Sequence, residues 1–80
     1  MAERTIVAIK LEARSTFAPR VQETLTKHGS IIKTRLGLHE LSREEEGLII
    51  LVVCGSHNQC EALLADLKPM PTIKVHAMEV

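Results

Sequence analysis

From Thr5 to Leu11 apolar residues recur at every second position, with Val7, Ile9 and Leu11 on one side of an extended chain and Ile6, Ala8 and Lys10 on the other. A period of two is the strand spacing, so this segment reads as a strand apolar on one face and mixed on the other. The period then lengthens. Phe17, Val21 and Leu25 recur every four residues with Ala18 beside them, Ser15 or Thr16 supplies a capping oxygen, and Pro19 falls in the first turn. In that turn its missing N–H breaks no helical bond. His28-Gly29 is expected to end this helix, of about three turns, with Gly29 as a left-handed cap.

Alternation resumes from Ile31 to Leu41. Ile32, Thr34, Leu36 and Leu38 share one face, and Ile31, Lys33, Arg35, Gly37 and His39 share the other. Ser42 to Gly47 is a charged turn ending in glycine, the chemistry of a long hairpin loop. Leu48–Cys54 is apolar on both faces and rich in branched residues, as a central strand covered on two sides would be. Ser56 followed three residues later by Gln59 predicts a capping box, and Cys60, Leu63, Leu64 and Leu67 form a helical stripe that Lys68-Pro69 stops. Thr72–Val80 alternates again, with Ile73, Val75 and Ala77 toward the core.

The order β-α-β-β-α-β over residues 1–80 predicts one α+β domain of ferredoxin-like type, a four-stranded antiparallel sheet with both helices on one face. Right-handed crossovers place the first and third strands in the middle. The edges then carry Lys33, Arg35 and Lys74, cations that discourage edge pairing. The uncovered face is expected to hold Ile6, Ala8, Lys10, Ile31, Lys33, Arg35, Gly37, His39, Lys74, His76 and Met78. Either Ile49-Leu51-Val53 or Leu48-Ile50-Val52-Cys54 joins them. Its aliphatic centre and basic, histidine-bearing rim predict a homo-oligomer, dimer or tetramer, joined through that face.

Composition sharpens this picture. Ten Lys+Arg against ten Asp+Glu leave a formal charge of zero, and Phe17 is the one aromatic in a chain that is 45% hydrophobic. There is no electrostatic footprint for nucleic acid and no stacking platform, so direct nucleic-acid binding is not expected. The chain is too apolar for disorder. Eighty residues bury only roughly 60–65% of their unfolded surface, which makes extra coverage by a partner valuable. The longest apolar run is the seven residues Leu48–Cys54, against the roughly 20 a membrane helix needs. With no signal-peptide pattern and two cysteines, a cytoplasmic protein with reduced thiols is expected.

Cys54, His57 and Cys60 form the one soft-ligand cluster, but a structural metal site takes four ligands, and Cys60 belongs to the leucine stripe. Cys54 and His57 could also pair as thiolate and imidazole, although no third orienting group is evident. No metal, cofactor or catalytic residue is therefore assigned. Lys33, Arg35, His39, Lys74 and His76 stand as ligand-binding or interface residues, and Lys33, Arg35 and Lys74 with Lys10 could form a site on the open face for a phosphate or carboxylate of a small-molecule effector. Glu44-Glu45-Glu46 reads as a solvated acidic turn.

The residues Ile32-Lys33-Thr34-Arg35-Leu36-Gly37, Arg43-Glu44-Glu45, Gly47-Leu48-Ile49-Ile50-Leu51-Val52-Val53 and Ile73-Lys74-Val75 give the chain a resemblance to the small stand-alone iron-only hydrogenase system regulators. More distantly it resembles ACT-like domains and the C-terminal domain of nickel-responsive regulators. The resemblance implies a non-enzymatic regulatory or ligand-sensing protein assembled through its sheets, or alternatively an ACT-like amino-acid or small-anion module with sites between subunits. It departs from ACT domains at Arg14–Pro19, which lacks their Asp-x-Pro-Gly-like turn. It departs from nickel regulators in offering only His39 where they carry His-x-His, and in lacking their ribbon-helix-helix segment.

Overall fold

A computed structural model describes residues 3–12, 18–39 and 47–80. The proposed cap at Ser15 or Thr16, Phe17 and the acidic turn Glu44–Glu46 lie outside these residues. The elements are β1 (Glu3–Leu11), α1 (Ala18–Lys27), β2 (Ile32–His39), β3 (Gly47–Gly55), α2 (His57–Leu67) and β4 (Ile73–Glu79). The strands form one antiparallel sheet in the order β2-β3-β1-β4. This is the ferredoxin-like βαββαβ arrangement, with the doubly apolar third strand inside and the second and fourth at the edges.

The core lies between the sheet and the helices. Val7, Ile9 and Leu11 of β1 and Ile49, Leu51 and Val53 of β3 meet Val21 and Leu25 of α1 and Cys60, Leu63, Leu64 and Leu67 of α2. Ile73 and Val75 of β4 pack against this cluster from the edge. Alternation thus places one face of each inner strand against the helices. Both faces of β3 are aliphatic, and its register decides which one is inward. Ile49 pairs with Ile9 and Leu51 with Val7, so Leu48, Ile50, Val52 and Cys54 turn to the open face.

The second strand departs from the expectation. A bulge between Ile32 and Thr34 shifts its parity. Ile31 is buried and Ile32 packs against the core as well, whereas simple alternation would send them to opposite faces. Beyond the bulge Arg35 pairs with Leu51 and Gly37 with Ile49, which puts both on the helix side. Leu36 pairs with Ile50 and Leu38 with Leu48 on the open side. An extra residue in a two-period strand exchanges its faces, and that is the physical reason for the correction.

Helix ends follow local chemistry. Ser56 Oγ accepts from Gln59 N at 3.2 Å and Gln59 Oε1 accepts from Ser56 N at 2.8 Å, completing the expected capping box. Gly29 is not a left-handed cap, since no described glycine has positive φ. Its N–H instead bonds Thr26 O at 3.1 Å in a tight turn. Thr72 carries the left-handed conformation, with φ of 67°, just ahead of β4. The helices are tied by Asp66 of α2, whose Oδ2 lies 2.7 Å from His28 Nε2 and 3.3 Å from Lys27 Nζ. The hydrogen bonds from His28 and then Lys27 hold the Asp66 carboxyl below its ordinary value of 3.8.

Two outcomes test these contacts. A methyl group at Gly55 would meet Ile31 Cγ2 and Gln59 Oε1, each at 2.9 Å, whereas one at Gly37 meets nothing within 4 Å. In urea unfolding Gly55→Ala therefore costs about 1–3 kcal/mol and Gly37→Ala within about 0.5 kcal/mol; equal effects would contradict the packing described. For Asp66, a depressed carboxyl stabilises the fold above 3.8 and loses that contribution as pH falls through the lower folded value. Wild type should exceed Asp66→Asn in stability at neutral pH, with the gap closing on acidification below pH 4 or so. A gap that widens in acid would refute the tie.

Candidate functional site

The open face of the sheet is built of rows, each crossing the four strands from β2 to β4. One row is Thr34, Val52, Ile6 and Met78, the next Leu36, Ile50, Ala8 and His76, and the third Leu38, Leu48, Lys10 and Lys74. No helix covers them. Leu36 is 51% exposed, Leu38 45% and Met78 60%, while Leu48, Ile50, Val52, Ile6 and Ala8 are half-buried by one another. The face is aliphatic from β2 through β1, and its cations gather at the β4 corner, where Lys10 and Lys74 sit directly opposite each other beside His76. Like charges so placed repel, and Lys74 Nζ finds Glu12 Oε1 at 3.7 Å.

The five residues singled out from the sequence do not share this face. Lys74 and His76 lie on it. Arg35 lies on the helix side of β2, and Lys33 sits at the bulge. The backbone of His39 pairs with Gly47. The bulge is again the reason: it turns the basic half of β2 away from the surface that Lys74 and His76 occupy. Leu36 and Leu38 take the vacated positions, and reading β2 as an unbroken alternation misses them.

Lys33 and Arg35 instead line a cleft of about 280 Å³ at the outer edge of β2, under the end of α1. Leu25 and Ile32 form its apolar floor, Thr26 and Gly29 one wall, and Thr34 the rim. The helices do not reach over this end of the edge strand, so Lys33, Arg35 and Gly37 are exposed even though Arg35 and Gly37 have core-side parity. A second cleft, of about 270 Å³, lies at the start of α2 and is lined by Thr5, His57, Cys60, Glu61 and Glu79. In it His57 Nε2 is 4.0 Å from Glu61 Oε1.

The soft-ligand cluster is dispersed. Cys54 is half-buried on the open face, while Cys60 is buried on the helix side, where its Sγ lies 4.0 Å from Thr5 Oγ1. A strand residue and a helix residue on opposite sides of one sheet cannot share an ion. Among the described residues no three His, Cys, Asp or Glu side chains converge as a metal site. None of the described helices is long and apolar enough to cross a membrane.

No protein-family model matches the chain. No curated protein matches it either. Solved structures do. It is similar to the uncharacterized protein TM1266 from Thermotoga maritima, with a TM-score of 0.89 at 22% identity over 100% of this chain and 99% of that one. It is similar to the C-terminal domain of the MgtC protein from Mycobacterium tuberculosis, with a TM-score of 0.73 at 13% identity over 99% and 88% of the two chains. A third likeness is to CPII from Thiomonas intermedia, a nitrogen regulatory PII-like protein solved with ADP, AMP and bicarbonate. Its TM-score is 0.66 at 20% identity, covering 98% of this chain and 94% of that one. At these identities the likenesses establish a shared small ferredoxin-like fold.

Proposed function

We propose that the chain is a small non-enzymatic regulatory protein that senses a ligand as a homo-oligomer, a single domain acting as dimer or tetramer through the open face of its sheet. The observation that carries this reading is the aliphatic surface formed by Leu36, Leu38, Leu48, Ile50 and Val52 with Ile6 and Met78, which the two helices leave bare. Covering a large aliphatic side chain completely is worth about 1.5–3 kcal/mol. In a domain of 80 residues that is a sizeable fraction of total stability. A second copy presenting the same face satisfies the same need on both subunits, which is the economy of a two-fold interface. Lys74 and His76 then belong to the interface rim, where polar side chains stay hydrated.

Within this class the iron-only hydrogenase system regulators are the family we favour, on the residues in β2, β3 and β4 that carry the resemblance. Among its structural likenesses, CPII is a regulatory protein of the same fold solved with small anionic ligands, which supports a sensing role over catalysis. Such a protein works in the cytoplasm, where Cys54 and Cys60 remain free thiols.

Light scattering coupled to size exclusion tests the assembly. Wild type at about 10 μM should elute with two or four times the chain mass of 8.9 kDa, in the range where a standard-size interface holds. Ile50→Glu should yield a folded monomer. A monomeric wild type overturns the oligomeric reading. Disruption of the gene in a host carrying an iron-only hydrogenase should change hydrogenase transcript levels, and unchanged levels would remove that family from consideration.

A further inference from the structure

The sensing role requires a ligand, and the cleft at the outer edge of β2 supplies the chemistry to recognise one. Lys33 and Arg35 both line it, two residues apart on one strand, and neither has an ion-pair partner among the described residues. Lys27 and Lys74, by contrast, are each neutralised by a carboxylate. Among the described residues no acidic side chain lines this cleft. Two cations facing one concavity repel each other, and an anion between them converts that repulsion into attraction on both sides.

The surroundings suit an anion further. The end of α1 would disfavour one if its last carbonyls were bare. Two of the last four are engaged, Thr24 O accepting from His28 N and Thr26 O from Gly29 N, and in the turn that follows His28 O accepts from Ile31 N and Gly29 O from Ile32 N. Thr26 Oγ1 donates to Gln22 O at 3.0 Å, so Thr26 is a wall and not a donor. β2, bonded to β3 along one side only, turns alternate backbone N–H groups outward at this edge, and these are the added donors. A guanidinium presents a planar fork that matches a phosphate in two places, while the ammonium of Lys33 acts as a point charge. The apolar floor of Leu25 and Ile32 gives an organic remainder something to pack on.

We propose that this cleft is the effector site and that it takes a small molecule by a phosphate group, held between Lys33 and Arg35. The proposal rests on the sensing role and assigns its ligand class. It also separates the two surfaces of the protein: the open face joins subunits, and the phosphate binds on the opposite side of β2.

The test is an amide chemical-shift titration of the ¹⁵N-labelled full chain with inorganic phosphate and, separately, with ADP, at ionic strength held constant with chloride. Saturable shifts centred on Gly29, Lys33, Thr34 and Arg35 are expected. With Lys33→Gln/Arg35→Gln, binding should weaken at least tenfold while the mass by light scattering stays that of wild type. Saturation by ADP at much lower concentration than by phosphate identifies a nucleotide-like ligand, and equal affinities identify free phosphate; both support the site. Shifts that are absent, fail to saturate, centre elsewhere or persist unchanged in the double variant overturn it. A monomeric wild type with intact titration would sink the oligomeric reading and leave this site standing.

Discussion

The structure turns on a mismatch between a sheet that is aliphatic on two sides and a helical layer that exists on one. β1 and β3 occupy the middle of the sheet, and both of their faces must be accounted for. Ile49, Leu51 and Val53 are sealed beneath α2 and α1, whereas Leu48, Ile50 and Val52 look outward through the same strand. Branched aliphatics on both faces are ordinary for a strand buried from two directions and anomalous for one covered from a single direction. The oligomeric reading follows from how that second face is resolved. The proposed assembly with further copies would resolve it without adding a residue to the chain.

The helical layer is held in place at both ends of α2. Ser56 and Gln59 fix the start of α2 through reciprocal bonds, and Asp66 near its end reaches His28 and Lys27 at the end of α1. The two helices are therefore joined by charge as well as by the packing of Leu25, Leu63 and Leu67. The outer half of β2 lies beyond this layer. The exposure of Arg35 and Gly37 on its helix side marks where the covered core ends and the cleft begins.

Much of this was legible in the residues. Period two in β1 and β4, the leucine stripe of α2, and the capping box all rest on local interactions, and each formed as its spacing demands. The doubly apolar run at β3 correctly marked a central strand. What it could not disclose was which face is inward, because Ile49-Leu51-Val53 and Leu48-Ile50-Val52 are equally hydrophobic; pairing with Ile9 and Val7, some forty residues away, decides it. The bulge in β2 carried no glycine or proline to announce it. Two adjacent isoleucines, Ile31 and Ile32, were the available signal, since both being apolar is odd in a half-covered strand and natural where a bulge buries both. The link from His28 to Asp66 spans 38 positions and follows from no local pattern. His39, placed from the sequence among the ligand-binding or interface residues, is fixed here only by its backbone pairing to Gly47.

The bulge also makes this edge tolerant of a change in chain length. Lys33 is the residue that the pairing with β3 passes over, since Ile32 faces Val53 and Thr34 faces the very next position, Val52. Deletion of one residue at Lys33 would therefore restore strict alternation with Ile32 and Arg35 still on the helix side and Leu36 and Leu38 still on the open side. The strand would lose one cation and keep both of its faces. Relatives of the same fold could gain or lose a residue at this point while leaving the core and the aliphatic face intact.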